Sequence, residues 1–278
     1  MKNNCFMNYH GSKLKFYDKI KHLLPKQENM RCLDLFTGGA SLASRLPVEC
    51  KITANDGCIE LIQLHQKLIS ALKVKTPVEI VELIKKNAWV KDNKDKEGYE
   101  LLKHNYNNFL SGSDRDIMFY ELICSSFSNQ IRFNKEGHFN LPFGKRYFNP
   151  SMQKKMVAFL QHIKDRDITF TSCDFRDYEL SDYDFVIVDS PYLNTCAGYN
   201  ENGGWTLSDT EELLTMVDKY AEQGGKFILF EEVLSKGTPN NIIAEWMKKY
   251  NHISLGDESK GCNYQRKDGI TLEVCIYN

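Results

Sequence analysis

Asp189, Ser190, Pro191 and Tyr192 follow directly on the apolar run Phe185–Val188. An acid, a rigid bend and an aromatic ring at the carboxyl end of a buried strand suit one demanding nucleophile, the exocyclic amino group of a nucleobase. Its lone pair is delocalised into the ring until an acceptor localises it. A carboxylate and the adjacent backbone carbonyl can both accept from such an NH2, and the Tyr192 ring can stack on the base. Asp, Ser and Pro are also turn formers, so the tetrapeptide alone is equally an ordinary turn after a strand.

A second constellation lies upstream. Asp34, Leu35, Phe36, Thr37, Gly38, Gly39, Ala40 and Ser41 read as a strand end, a glycine turn and a helix start, a design that lets backbone approach a nucleotide or nucleoside. Asp56, at the end of the next strand, is placed to accept from both hydroxyls of a ribose. It can equally cap the following helix. The turn lacks the third glycine of a dinucleotide fingerprint and the Lys-Ser/Thr of a P-loop. A ribose acid with a short glycine turn suits S-adenosylmethionine better. Phe175 is placed to pack on its adenine with Asp174 at the same edge, or else to be core beside a turn former.

These residues need a sheet to hold them. Apolar patterning predicts strands at 32–36, 51–54, 168–171, 185–188, 226–230, 252–255 and 272–277. Helices are predicted at 13–24, 40–46, 59–72, 77–87, 99–109, 114–125, 151–164, 209–221 and 240–249. Residues 130–147 alternate around Asn134-Lys135-Glu136-Gly137, a hairpin signal. The chain thus reads as an α/β domain interrupted by a helical and hairpin insert.

Composition bounds the setting. The 278 residues, 42% hydrophobic and 26% charged, can bury a large core, and no apolar run approaches the length of a membrane span. No secretory signal is expected behind Met1-Lys2-Asn3-Asn4-Cys5. The nine scattered cysteines fit reduced thiols in a cytoplasm better than a disulfide framework or a metal cluster. Net charge is −1, yet residues 130–166 hold eight Lys/Arg against Glu136 and Asp165. Such an excess is a footprint for a phosphate backbone or a solvated basic face.

Taken together, Asn8-Tyr9-His10-Gly11-Ser12-Lys13, the Asp34 to Gly39 turn, Asp56 and Asp189 to Tyr192, in this order around a helical insert, resemble the Dam-type (D12 class) DNA adenine-N6 methyltransferases. The likeness runs from about Tyr9 to Asn278 and is strongest to the short enzymes of T-even bacteriophages. It rests there on Phe127-Ser128-Asn129, Ile131-Arg132, Asn134, Gly137, Pro142-Phe143-Gly144-Lys145-Arg146, Tyr192-Leu193 and Tyr199.

The resemblance implies a Rossmann-like S-adenosylmethionine-dependent methyltransferase sheet, residues 1–57 and 148–278, with a target-recognition domain at 58–147. It implies that Tyr9 and Lys13 hold the methionine part of the cofactor and that Phe36 to Ser41 line it. Asp56 would hold the ribose, with Asp174 and Phe175 flanking the adenine. Asp189 would accept from the target amino group near the sulfonium, with Tyr192 stacking on an everted adenine and Tyr199 closing the pocket. Ser128, Arg132, Asn134, Pro142, Phe143 and Arg146 would meet double-stranded DNA. An arginine there can read guanine through two hydrogen bonds, or hold phosphate without reading sequence. Phe133 and Phe143 either fill a small core or wedge into an opened base step. The implied target is GATC. The implied enzyme needs no metal and no membrane, and acts as a monomer or weak dimer.

Two departures from the family pattern stand out. Ser190 occupies the position of a proline, which keeps the carbonyl and loses rigidity. Glu231-Glu232 replace a smaller polar pair and are expected to point to solvent.

Overall fold

The computed structural model describes residues 5–7, 11–108, 114–193, 204–235, 237–257 and 270–278. Apolar strands build one sheet: β1 (Arg31–Asp34), β2 (Lys51–Asn55), β3 (Asp167–Thr171), β4 (Phe185–Val188), β5 (Lys226–Ser235), β6 (Thr238–Pro239), β7 (Asn251–Asp257) and β8 (Leu272–Tyr277). Their order is β3-β2-β1-β4-β5-β8-β7, with β6 appended to β5. β1 to β5 pair in parallel, and β8 lies antiparallel between β5 and β7. The chain moves outward from β1 through β2 and β3, then crosses back to β4 on the other side. The carboxyl ends of β1 and β4 therefore flank the point where strand order reverses, where open α/β sheets form a binding crevice.

Strand alternation feeds two cores. Cys32, Phe185, Ile187, Ile228, Phe230 and Cys275 face one layer, made by α2 (Ile59–Leu72), α3 (Pro77–Lys86), α4 (Lys96–Asn108), α5 (Arg115–Ser125) and α6 (Pro150–Ile163). Leu33, Val186, Val188, Phe227, Leu229 and Ile276 face α7 (Leu207–Glu222) and α8 (Asn241–Trp246). With helices on both faces the sheet is a Rossmann-like α/β layer. Local signals start the helices. Thr76 and Glu79 form a capping box with Pro77 at the head of α3, Thr206 and Asp209 do the same for α7, and Asn149 caps α6.

Three predicted elements come out differently. Residues 13–24 fold as a 3-10 turn (Lys13–Phe16) and the single turn α1 (Tyr17–Ile20) rather than one helix, because Lys13 and Leu14 are drawn inward. No helix runs through 40–46. Gly38 and Ala40 take left-handed φ of 49° and 52°, which an α-helix excludes, leaving a 3-10 turn at Ala43–Arg45. At 130–147 the expected hairpin is reduced to two isolated bridges, Phe133↔Phe139 and Ser126↔Phe143. The turn at Asn134 is nonetheless closed, its Oδ1 accepting from the N–H groups of Glu136 and His138. Among the described residues no helix is long and apolar enough to cross a membrane.

Candidate active site

The carboxyl end of β4 delivers Asp189 into the crevice. Its Oδ1 lies 2.8 Å from Lys13 Nζ, and 23% of its side chain meets solvent against 3% for Lys13. The Lys13 ammonium also reaches the Gly11 carbonyl at 2.8 Å and Glu273 Oε1 at 3.1 Å. Three acceptors match the three N–H bonds of an ammonium. Burial opposes its charge, but Asp189 and Glu273 outweigh burial and raise the Lys13 pKa. Asp189 is itself pushed up to about 6, first by its depth in the cleft. Lys13 pulls it down and Glu273 pushes it back up. Beside the Lys13 ammonium, the carboxylate form is favoured and can accept.

Tyr192 stands beside this pair, its hydroxyl donating to Glu273 Oε1 at 2.8 Å and its ring centroid 5.0 Å from Lys13 Nζ. Pro191 and Tyr192 are half-buried. Ser190 is buried, and its hydroxyl has no hydrogen-bond partner among the described residues. Tyr9 and Tyr199, both expected at this site, lie outside the described residues.

Across the crevice, Asp34 at the end of β1 accepts from the Thr37 hydroxyl at 3.0 Å. Burial pushes its carboxyl up to about 7; Thr37 opposes this and Asp189 adds to it. The Gly38 peptide is held on both sides. Its N–H donates to Asp56 Oδ2 at 2.8 Å, and its carbonyl lies 2.9 Å from His65 Nε2. His65 is buried and stacked flat on Phe170, ring centroids 4.4 Å apart. Burial lowers its pKa to about 4, so a neutral ring donates to the carbonyl. Asp56 also takes the Cys58 N–H at 2.9 Å, so it both ties the glycine turn and closes the entry to α2. Gly39, Ala40 and Ser41 continue the turn as buried residues, and the Ser41 carbonyl accepts from Ser44 at 2.9 Å. Asn55 locks three strand ends together, donating to the Leu35 and Cys173 carbonyls and accepting from Cys173 N–H and the Tyr178 hydroxyl.

Phe36, Phe175 and Trp205 form an aromatic wall with centroids 5.3 to 5.8 Å apart. Phe175 is mostly core. Asp174 accepts from the Arg176 N–H at 2.9 Å and pairs with its guanidinium, which also reaches Asp209 and Glu212. The carboxylate at this edge is therefore already engaged by an arginine.

In the insert, Arg132 is braced by Asn140, through Nε to Oδ1 at 2.6 Å and Nη2 to the carbonyl at 3.2 Å. Arg146 donates to Asn129 Oδ1, and Asn129 in turn donates to the Ile123 and Cys124 carbonyls. Ser128, Asn129 and Lys145 all take positive φ, between 54° and 57°. Pro142 is exposed next to them. Phe143 packs on Tyr99, and Phe133 on Phe119 and Phe139, which sets both rings, partly buried, against the main core rather than free as wedges.

Glu231 corrects an expectation. It is 2% exposed, not solvent-facing, because β5 runs on to Ser235 and carries it inside beneath the crevice. Burial, only partly offset by the Glu232 N–H, holds its carboxyl well above the usual carboxylate range. Glu273, His65, Asn55 and Trp205 were not singled out from sequence. For Glu273 a signal existed, a lone acid inside the apolar run Leu272–Tyr277.

Comparison with known proteins bears on this arrangement directly. The family model for D12 class N6 adenine-specific DNA methyltransferases matches residues 9–260. The chain belongs to that class. Among D12-type relatives and other methylases, Type II methyltransferase M.FokI of Planomicrobium okeanokoites is 29% identical over 281 residues, covering 98% of this chain and 42% of that protein. Modification methylase StsI of Streptococcus sanguinis is 26% identical, with 94% and 43% covered. A DNA adenine methylase of Vibrio cholerae is 26% identical over 234 residues, with 82% and 80% covered. The chain spans less than half the length of the first two.

S-adenosylmethionine is the methyl donor of D12 methyltransferases, and the residues here fit it. The ligand joins a zwitterionic amino acid and a cationic sulfonium to a ribose and a flat purine. The crevice offers in matching variety the carboxyls of Asp34, Asp189 and Asp56 and the aromatic wall of Phe36, Phe175 and Trp205.

Proposed function

We propose that this chain transfers a methyl group from S-adenosylmethionine to N6 of adenine in duplex DNA, with the base turned out of the helix, at sites containing GATC. The observation that carries this reading is Asp189, paired with Lys13 at 2.8 Å, at the strand-order reversal with the Tyr192 ring beside it. Bound in the crevice, the cofactor supplies an electrophilic methyl carbon on a sulfonium. Asp189 and the Ser190 carbonyl accept from the two N6–H bonds and so localise the nitrogen lone pair for in-line attack. As the methyl is transferred, Asp189 would take up the surplus N6 proton and release it to solvent. Lys13 holds the carboxylate in place, and the face of Tyr192 turned from Lys13 receives the base. Orientation and fixed electrostatics provide the acceleration.

Residues 58–147 supply target recognition, with α2 shared with the sheet. Resemblance to the T-even phage enzymes supports assigning Ser128, Arg132, Asn134, Pro142, Phe143 and Arg146 to DNA, with Arg132 and Arg146 as readers or phosphate clamps. The same resemblance assigns Tyr9 to the cofactor and Tyr199 to the base, both outside the described residues. The test is incubation with unmethylated plasmid and labelled cofactor, followed by mapping of methylated adenines. Label confined to GATC supports the whole reading. Label in another adenine-containing sequence retains the chemistry and replaces the target. No label in DNA removes the activity.

One observation favours a second reading, a DNA- and cofactor-binding protein with weak turnover. The Ser190 hydroxyl is buried without a partner among the described residues, where the resembled enzymes have proline. An unmade buried hydrogen bond is destabilising, and serine leaves the backbone freer than proline. Ser190→Pro is therefore expected to raise kcat about fivefold, equivalent to about 1 kcal/mol of preorganisation. Steady-state kinetics on plasmid DNA read this, and a variant as inert as an inert parent supports the second reading.

Cofactor affinity is expected to rise with pH across about 7. Asp34 is pushed up to about 7 by burial. A cationic ligand favours its ionised form, so binding strengthens as pH rises through that value and weakens below it. Calorimetric titrations at pH 6 and 8 check the sign, and equal affinities refute it.

A further inference from the structure

We infer that Glu273 is a positioning residue of the active site, fixing Lys13 and Tyr192 against each other from β8. Its kinetic consequences rest on the methyl-transfer reading above; its structural link does not. Glu273 sits opposite Glu232 of β5, on an otherwise apolar strand, and its side chain is 4% exposed. A carboxylate so placed is costly unless it is partnered, and the β-ladder needs only its backbone. Its partners are the two groups that flank Asp189. Oε1 accepts from the Tyr192 hydroxyl at 2.8 Å and lies 3.1 Å from Lys13 Nζ, while Oε2 lies 3.8 Å from Lys15 Nζ.

Two effects follow from one oxygen serving both partners. The first is orientational: a phenol tied at its far end cannot swing, so the plane on which a base would stack is fixed. The second is electrostatic. An ammonium shared between two carboxylates neutralises Asp189 less than a private ion pair would, which leaves Asp189 a stronger acceptor for an amino group. Lys13 also lies 5.7 Å from the Phe230 ring centroid, so its aliphatic stem and head are confined on the β5 side as well.

Glu273→Gln keeps the shape and an acceptor oxygen but removes the charge; Glu273→Ala removes both. The first readout uses the protein without DNA or cofactor. In protein labelled with 13Cζ-tyrosine, the Tyr192 resonance, assigned by its loss in Tyr192→Phe, is expected to shift in Glu273→Gln and to shift further in Glu273→Ala. The second is the pH dependence of kcat. Besides Lys13 and Glu273, Asp189 is faced by Lys15, Asp34, Glu231, Tyr192 and Cys275, all unchanged in the variant. With Glu273 uncharged, Lys13 pairs with Asp189 alone, so the acid limb moves to lower pH. At neutral pH kcat falls about tenfold while KM for cofactor stays within about twofold.

A merely structural residue would lower the melting temperature and leave the acid limb where it was. A Tyr192 resonance unmoved in both variants overturns the inference, as does a Glu273→Gln enzyme with the parental pH profile and kcat. If the parent methylates no DNA, the functional reading fails on its own and the tyrosine resonance alone decides this one. If Glu273→Ala does not fold, the glutamine variant carries both readouts.

Discussion

Asp189→Ala is expected to lower kcat for adenine methylation by about 10³-fold, the scale lost when one preorganised electrostatic group is removed from a reacting centre. The effect is large because the neighbouring carboxyls are engaged or misplaced, Glu273 being tied to Lys13 and Tyr192. Glu231 is buried below the crevice, with its carboxyl held well above the usual carboxylate range by burial, and Asp34 sits across the crevice at the end of β1 with a carboxyl pushed up to about 7 by burial. Neither is placed by β4 beside Tyr192. Removing Asp189 also leaves Lys13 with Glu273 and the Gly11 carbonyl, so its ammonium stays paired and the fold should survive. Asp189→Asn separates charge from shape: the amide still offers one oxygen but presents an NH2 to the lysine and to the substrate. Single-turnover assays with a thermal melt for each variant distinguish chemistry from unfolding. An alanine variant within tenfold of the parent rate would refute the role given to Asp189.

Gly144→Ala is expected to weaken DNA binding about 100-fold, or about 3 kcal/mol, and to leave cofactor binding unchanged. A Cβ at Gly144 would lie 2.2 Å from the Ser126 carbonyl oxygen and 2.8 Å from Phe127 N, both backbone atoms. Neither can retreat. Phe127 N–H is bound to the Pro142 carbonyl at 2.9 Å, and Gly144 N–H to the Ser125 carbonyl at 2.8 Å. An alanine must therefore pry apart the loop carrying Ser128 and Asn129 from the loop carrying Lys145 and Arg146. Gly137→Ala is the control: its φ is +77°, but nothing lies within 4 Å of the added carbon. Anisotropy with a short duplex and calorimetry with S-adenosylhomocysteine read the two affinities. Parental DNA affinity in Gly144→Ala would show that the loops need not touch.

Where a segment's own residues decide its structure, sequence was a sufficient guide. The unbroken apolar run Phe185–Val188, the largely apolar Leu272–Tyr277 and the amphipathic Ile59–Leu72 occupy the predicted bounds. Asp34, Asp56 and Asp189 were legible as strand-end acids, since a polar residue after an apolar run marks a sheet edge. Partners contributed from elsewhere were not findable. His65 reads as one position on a helix until Gly38 is folded beneath it. Glu273 reads as the polar face of a strand until Lys13, 260 positions away in the chain, meets it. The prediction for Glu231 failed for the same reason: alternation tells which residues share a face, not which face is covered. Residues 40–46 failed locally, since left-handed backbone at Ala40 carries no compositional signal as it would at a glycine.

Placing β8 between β5 and β7 has a consequence for synthesis. A nascent chain that has already exposed Lys13, Asp34 and Asp189 to the cell still lacks the strand that fills the gap beside β5. Glu273 arrives with that strand, so the charge cluster is assembled only after residues 260 positions apart have found each other. Such long-range closure is slow compared with the local folding of helices. The order of translation therefore keeps an immature polypeptide from presenting a finished pocket.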